Sequence, residues 1–93
     1  MIESEKKLEL ILNKEVKIVG GWSIKLLSTH LTGLPDRLCL FPGGRLLFIE
    51  LKTTNKKPRK IQILVHNKLK NLGFRVEVID NSENLKKLIK SYE

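Results

Sequence analysis

Three residues carry the most chemistry for their type and spacing: Asp36, Glu50 and Lys52. They flank two β-rich runs, residues 36–41 and 45–52, with Pro42-Gly43-Gly44 between them reading as a tight hairpin. A turn through all three of those residues pairs Phe41 with Arg45 and sets Asp36 opposite Glu50. Directly opposed residues share a face, with Cβ atoms about 4.5–5.5 Å apart. Lys52 lies two residues past Glu50 and points the same way. A two-residue Gly43-Gly44 turn would shift the register by one and part the carboxylates.

Two carboxylates this close repel unless a cation lies between them. Oxygen ligands of this kind suit a hard divalent ion such as Mg²⁺ or Mn²⁺. Such an ion can activate water and stabilise charge on a phosphoryl oxygen. Lys52 could orient the water or neutralise developing negative charge. The cluster therefore suggests metal-dependent phosphodiester hydrolysis. The same residues also suit a plainer part, with Glu50 and Lys52 as a polar stripe and Asp36 as a turn cap.

The elements that must position these residues follow from periodicity. Residues 3–19 predict a helix, with Leu8, Leu12, Val16 and Val19 in phase, Ile11 and Ile18 widening the stripe, and Gly20-Gly21 ending it. Residues 22–27 predict a short strand, and 28–34 a polar loop that closes on Gly33. Residues 53–60 form a basic loop. Residues 60–72 predict a second helix, with Ile61, Val65, Leu69 and Leu72 in phase and Gly73 at its C′ position. A strand follows over 74–79. Ser82 is placed to cap a last helix bearing Leu85, Leu88, Ile89 and Tyr92 on one face. The hairpin strands are apolar on both sides, so helices are expected over both faces of a small mixed sheet. The fold class expected is α/β.

Length and charge narrow the function. A chain of 93 residues makes one domain, 1–93. It has little stability to spare, so a partner subunit would help. Eighteen Lys and Arg against ten Asp and Glu leave a net charge of +8. That balance suggests a polyanion such as nucleic acid, though a solvated lysine-rich surface has the same composition. Cys39 is the single cysteine, which rules out an internal disulfide and a cysteine-based zinc site. No run suits a membrane span or a secretory signal, and a reducing, cytoplasmic compartment is expected.

Leu34-Pro35-Asp36 followed by Ile49-Glu50-Leu51-Lys52 resembles the PD-(D/E)XK nuclease signature. More narrowly, the chain resembles the VRR-NUC family in its compact stand-alone form, common in phages and bacteria. The matching stretches are Gly20-Gly21, Lys25, residues 33–37, Pro42-Gly43-Gly44, residues 48–52, Gln62 and Gly73, together with the closing helix. The element order agrees with the superfamily's restriction-endonuclease-like αβββαβ core plus a C-terminal helix. The likeness spans nearly the whole chain. PD…ExK alone is a loose pattern; joined to Gly-Gly, the glutamine and this length it is far more specific. One departure is Pro58-Arg59-Lys60, where relatives often carry a small polar residue, but proline suits a helix start.

The resemblance implies roles. Asp36 and Glu50 would bind Mg²⁺ or Mn²⁺, with the Leu51 carbonyl as a further ligand. Lys52 would be the catalytic lysine, and Gln62 would line the site. A first-helix glutamate usually completes it. Counting back from Gly20-Gly21 matches Glu9, although helix phase leaves Glu5 and Glu15 bordering the stripe as well. Lys25 would face the site and contact a phosphate, or stand as an exposed strand lysine. The resemblance also implies a homodimer with two active sites acting on DNA, suited to branched substrates such as four-way junctions.

Lys56, Lys57, Arg59 and Lys60 are the best candidates for phosphate contacts, on a loop expected to be mobile beside the site. His30 and His66 are too far apart in sequence to suggest a metal pair; His66, one turn after Gln62, could approach the edge of the site but reads better as a surface histidine. Trp22 and Tyr92 read as core or interface residues rather than stacking platforms. Two competing functions remain: a non-catalytic basic module that binds DNA or a partner on a nuclease fold, and a nuclease acting on RNA. The intact Asp36, Glu50 and Lys52 set separates the first of these from an active nuclease.

Overall fold

The computed structural model describes residues 2–27 and 31–93. His30 and residues 28–29 of the expected polar loop lie outside that range. The elements run α1 (Glu5–Ile18), β1 (Trp22–Lys25), β2 (Arg37–Phe41), β3 (Arg45–Leu51), α2 (Lys60–Asn71), β4 (Arg75–Ile79) and α3 (Ser82–Lys90). The four strands form one mixed sheet in the order β1-β2-β3-β4, antiparallel twice and then parallel. Among the described residues, no helix is long and apolar enough to cross a membrane.

The register settles the hairpin. Phe41 pairs with Arg45 and Arg37 with Ile49, so Pro42-Gly43-Gly44 is a three-residue turn. Continuing that register one step sets Asp36 opposite Glu50. Alternation then sorts the two faces. Arg37, Cys39, Phe41, Leu47, Ile49 and Leu51 share one face, while Asp36, Leu38, Leu40, Phe48 and Glu50 share the other.

The first face carries the core. Leu8, Leu12 and Val16 of α1 and Leu85 and Ile89 of α3 are buried with Cys39, Leu47 and Ile49. Each buried leucine contributes about 2–5 kcal/mol against truncation to alanine. Ser4 caps α1, its hydroxyl accepting from the Lys7 N–H at 3.1 Å. Gly20 at φ 81° ends α1 in a Schellman motif: the Gly21 N–H donates to Val16 O and the Gly20 N–H to Lys17 O. Ile18, expected on the buried stripe, is exposed. Asn81, not Ser82, caps α3, its side chain accepting from the Asn84 N–H at 2.8 Å. Tyr92 stacks on Phe41 with ring centroids 4.2 Å apart.

The second face is covered less fully. α2 packs against β4, and Leu38, Leu40, Leu46 and Phe48 remain half-buried. Trp22 is 66% exposed, so it is no part of the core. The expected α2 stripe is also different. Its buried residues are Gln62 and His66, while Ile61 and Leu72 are exposed. The reason is local: α2 lies over the part of the sheet where Glu50 is buried, and a buried carboxylate needs polar partners.

A polar node fastens the chain near the N-terminus. The Glu3 N–H donates to Thr54 Oγ1 at 2.8 Å, and Thr54 Oγ1 donates to Asp80 O at 2.9 Å. Glu3 Oε1 accepts from the Ser82 N–H at 2.7 Å, which holds the Glu3 carboxyl down at about 2. The Asn55 N–H donates to Asp80 Oδ2 at 3.1 Å. The basic loop is therefore hydrogen-bonded at its start, through Thr54 and Asn55.

Candidate active site

Glu50 is the centre of the site and is 1% exposed. Gln62 Nε2 donates to its Oε2 at 3.2 Å, and Lys52 Nζ lies 3.4 Å from the same oxygen. His66 Nε2 lies 3.6 Å from Oε1. Among the described residues, neither Glu50 Oε1 nor His66 Nε2 has a hydrogen-bond partner. Burial, then the charge and hydrogen bonding of Asp36, push the Glu50 carboxyl up to about 7, with Lys52 opposing the rise. Burial and then the charges of Lys70 and Lys52 hold His66 below its ordinary value, against Asp36.

Asp36 is fixed from two sides. Its carbonyl accepts from the Leu26 N–H at 2.8 Å, and its Oδ2 accepts from the Leu51 N–H at 3.1 Å. That second bond ties Asp36 to the backbone beside Glu50, next to the Leu51 carbonyl. The fold thus brings together Asp36, Glu50, Lys52 and Gln62.

Gln62 has its amide orientation set by its neighbours. Its Oε1 accepts from the Arg59 N–H at 2.9 Å, an N-terminal cap of α2, so its NH₂ must face Glu50. Pro58 precedes this cap without disturbing it.

The glutamates of α1 separate by position. Glu5 and Glu9 line a cavity of about 90 Å³ with Lys25, Asp36, Arg37 and Leu51. Glu15 lines a different cavity near Lys86 and Lys90. Glu9 is engaged: Arg37 Nη2 lies 2.5 Å from its Oε1 and Lys25 Nζ 3.8 Å from its Oε2. Arg37 sits on the opposite sheet face from Glu50, while Glu9 shares its cavity with Asp36 and Leu51. Lys25 pairs across the sheet with Arg37 and opens on the same cavity. Lys56, Lys57, Arg59 and Lys60 are all exposed.

The sequence reading assigned Arg37 no role and favoured the surface for His66 over the site edge. His66 is 4% exposed, not on the surface. Its signal was its spacing of four from Gln62, which shares a helix face. Arg37 is buried and ion-paired. Its signal was alternation with Cys39 and Phe41, because a charge on a buried face must find a partner.

The donor set fits a hard divalent ion. Asp36 and Glu50 offer carboxylate oxygens side by side, and Glu50 carries a buried, unpartnered oxygen. Among the described residues, no group of three or more His, Cys, Asp or Glu is gathered for a metal. Mg²⁺ accepts this, since it usually takes one or two carboxylates and keeps several waters.

No family model matches the chain. A curated relative from Acyrthosiphon pisum secondary endosymbiont phage 1, described as "Putative nuclease p44", is 37% identical over 79 residues, covering 85% of each chain. A solved structure described as "VRR_NUC domain" superposes with a TM-score of 0.89 at 27% identity, over 98% of this chain and 100% of its own. The sequence match spans most of both chains and the fold superposes over nearly all of this one: the chain belongs to the VRR-NUC family.

Proposed function

We propose that the chain is a metal-dependent DNA endonuclease that hydrolyses phosphodiester bonds. The observation that carries this reading is the buried Glu50 carboxylate, flanked by Asp36 and Lys52 and pushed up to about 7 by burial and by Asp36. The phage relative's description as a nuclease supports it.

Asp36, Glu50 and the Leu51 carbonyl would hold Mg²⁺ or Mn²⁺. An ion there supplies Lewis-acid charge for attack of water on phosphorus. Lys52 keeps its ammonium beside Glu50, where it offsets negative charge developing on the phosphoryl oxygens or orients the water. Gln62 holds the Glu50 carboxylate from α2. Glu9 pairs with Arg37 and Lys25 and frames the cavity it shares with Asp36 and Leu51.

Lys25, Lys56, Lys57, Arg59 and Lys60 grip backbone phosphates, so recognition follows charge and DNA shape. A homodimer with two such sites suits branched DNA, which offers two symmetric strands. The exposed apolar side chains Leu31, Ile61 and Leu64, which line a cavity of about 670 Å³, leave surface for a second copy.

The test is cleavage of labelled duplex, single-stranded and four-way-junction DNA, and of an RNA duplex, with Mg²⁺, Mn²⁺ or EDTA. Metal-dependent cutting, strongest on the junction, is the expected result. Salt-sensitive DNA binding without cutting under any metal would favour a non-catalytic module instead.

A further inference from the structure

We propose that His66 is a positioning residue for the metal-binding carboxylate of Glu50. Together with Gln62, one turn earlier on α2, it clamps the two oxygens of that carboxylate. The inference rests on the nuclease reading above and adds a residue to it.

Three observations converge. The buried residues of α2 are Gln62 and His66, spaced by four and facing the same carboxylate. An apolar stripe would seat the helix more favourably, since a buried imidazole without a partner costs stability. Each of the two oxygens also faces its own α2 nitrogen. Gln62 Nε2 lies 3.2 Å from Oε2, and His66 Nε2 lies 3.6 Å from Oε1. Finally, Glu50 Oε1 and His66 Nε2 are both buried without a hydrogen-bond partner among the described residues. Closing the gap between them by about 0.6 Å makes an ordinary N–H···O bond.

The clamp has a physical purpose. The terminal torsion of a glutamate is broad and roughly two-fold. One donor leaves the carboxylate free to swing about that contact, whereas donors on both oxygens fix its plane. Outer hydrogen bonds of this kind orient metal ligands, and losing one typically costs about 10–100-fold in metal affinity.

The experiment is Mn²⁺ titration calorimetry on the intact protein without DNA, comparing wild type, His66→Leu and His66→Gln. Thermal melting in EDTA is measured on the same samples. His66→Leu should weaken Mn²⁺ binding about 10–100-fold, with a melting temperature equal to or above wild type. His66→Gln keeps a donor and should recover most of the affinity. Should His66→Leu fail to fold, His66→Met serves as the donor-free variant. Wild-type Mn²⁺ affinity in a folded donor-free variant overturns the role of His66, as does an equal loss in His66→Gln. If wild type itself binds no Mn²⁺ and cuts no DNA, the nuclease reading falls and this inference with it.

Discussion

Gln62 Nε2 donates to Glu50 Oε2 across 3.2 Å, while the oxygen of the same amide accepts from the Arg59 N–H and caps α2. One side chain thus couples the start of a helix to the carboxylate at the centre of the site. Gln62→Leu removes both bonds. It should cost about 1–3 kcal/mol of stability, from a lost cap and a buried group left short of a partner. Cleavage should fall as well. Urea denaturation and a single-turnover assay read the two effects separately.

Glu50 is held up at about 7 against an ordinary 4.5. Between those values the folded state binds more protons than the unfolded state, so metal-free stability falls as pH rises through that window. Glu50→Gln removes the buried charge. At pH 8 in EDTA it should raise stability by on the order of 1–3 kcal/mol, and the gain should vanish near pH 4. The variant should not cut. Thermal melts across pH 4–9 check the sign.

Arg37 reaches Glu9 from a buried position, and that pair fastens α1 to β2. Glu9→Ala leaves a buried guanidinium short of its partner, at a cost of about 1–3 kcal/mol. Glu5→Ala should cost little, because Glu5 is exposed and makes no ion pair among the described residues. Melting temperatures of the two variants discriminate between these outcomes. If Glu9→Ala loses cutting in proportion to its loss of folded protein, Glu9 serves structure rather than the metal.

Gly33 adopts φ 90°, and a Cβ there would sit 2.7 Å from Ile61 O and 2.8 Å from Val65 Cγ2. Alanine at this position meets both backbone strain and the flank of α2. The expected cost is about 1–3 kcal/mol. Because α2 carries Gln62 and His66, Mn²⁺ affinity should fall with it. Titration calorimetry below the melting transition tests the coupling.

Much of this site was legible in the amino-acid sequence. The hairpin follows from Pro42-Gly43-Gly44 and its flanking apolar runs, and the three-residue turn is what brings Asp36 opposite Glu50. Gly20 and Gly73 marked both helix ends correctly, because few other residues tolerate the left-handed C′ conformation. α2 misled for the opposite reason. Ile61, Val65, Leu69 and Leu72 are in helical phase, yet the face that turns inward is set by the polar floor of the sheet at Glu50. Periodicity reports which residues share a face, not which face meets the site. Arg37 was hidden in the same way, since its role depends on α1 delivering Glu9 to its face of the sheet.

The most direct test is cleavage of labelled four-way-junction DNA in Mn²⁺ by wild type and by Lys52→Ala, with DNA binding measured alongside. Lys52 Nζ is 3.4 Å from Glu50 Oε2, and its loss removes the ammonium from the reacting centre. The account predicts cutting by wild type that EDTA abolishes, and a loss of about 10²–10³-fold in Lys52→Ala with DNA affinity nearly unchanged. Equal cutting by the two proteins, or cutting that survives EDTA, would contradict it.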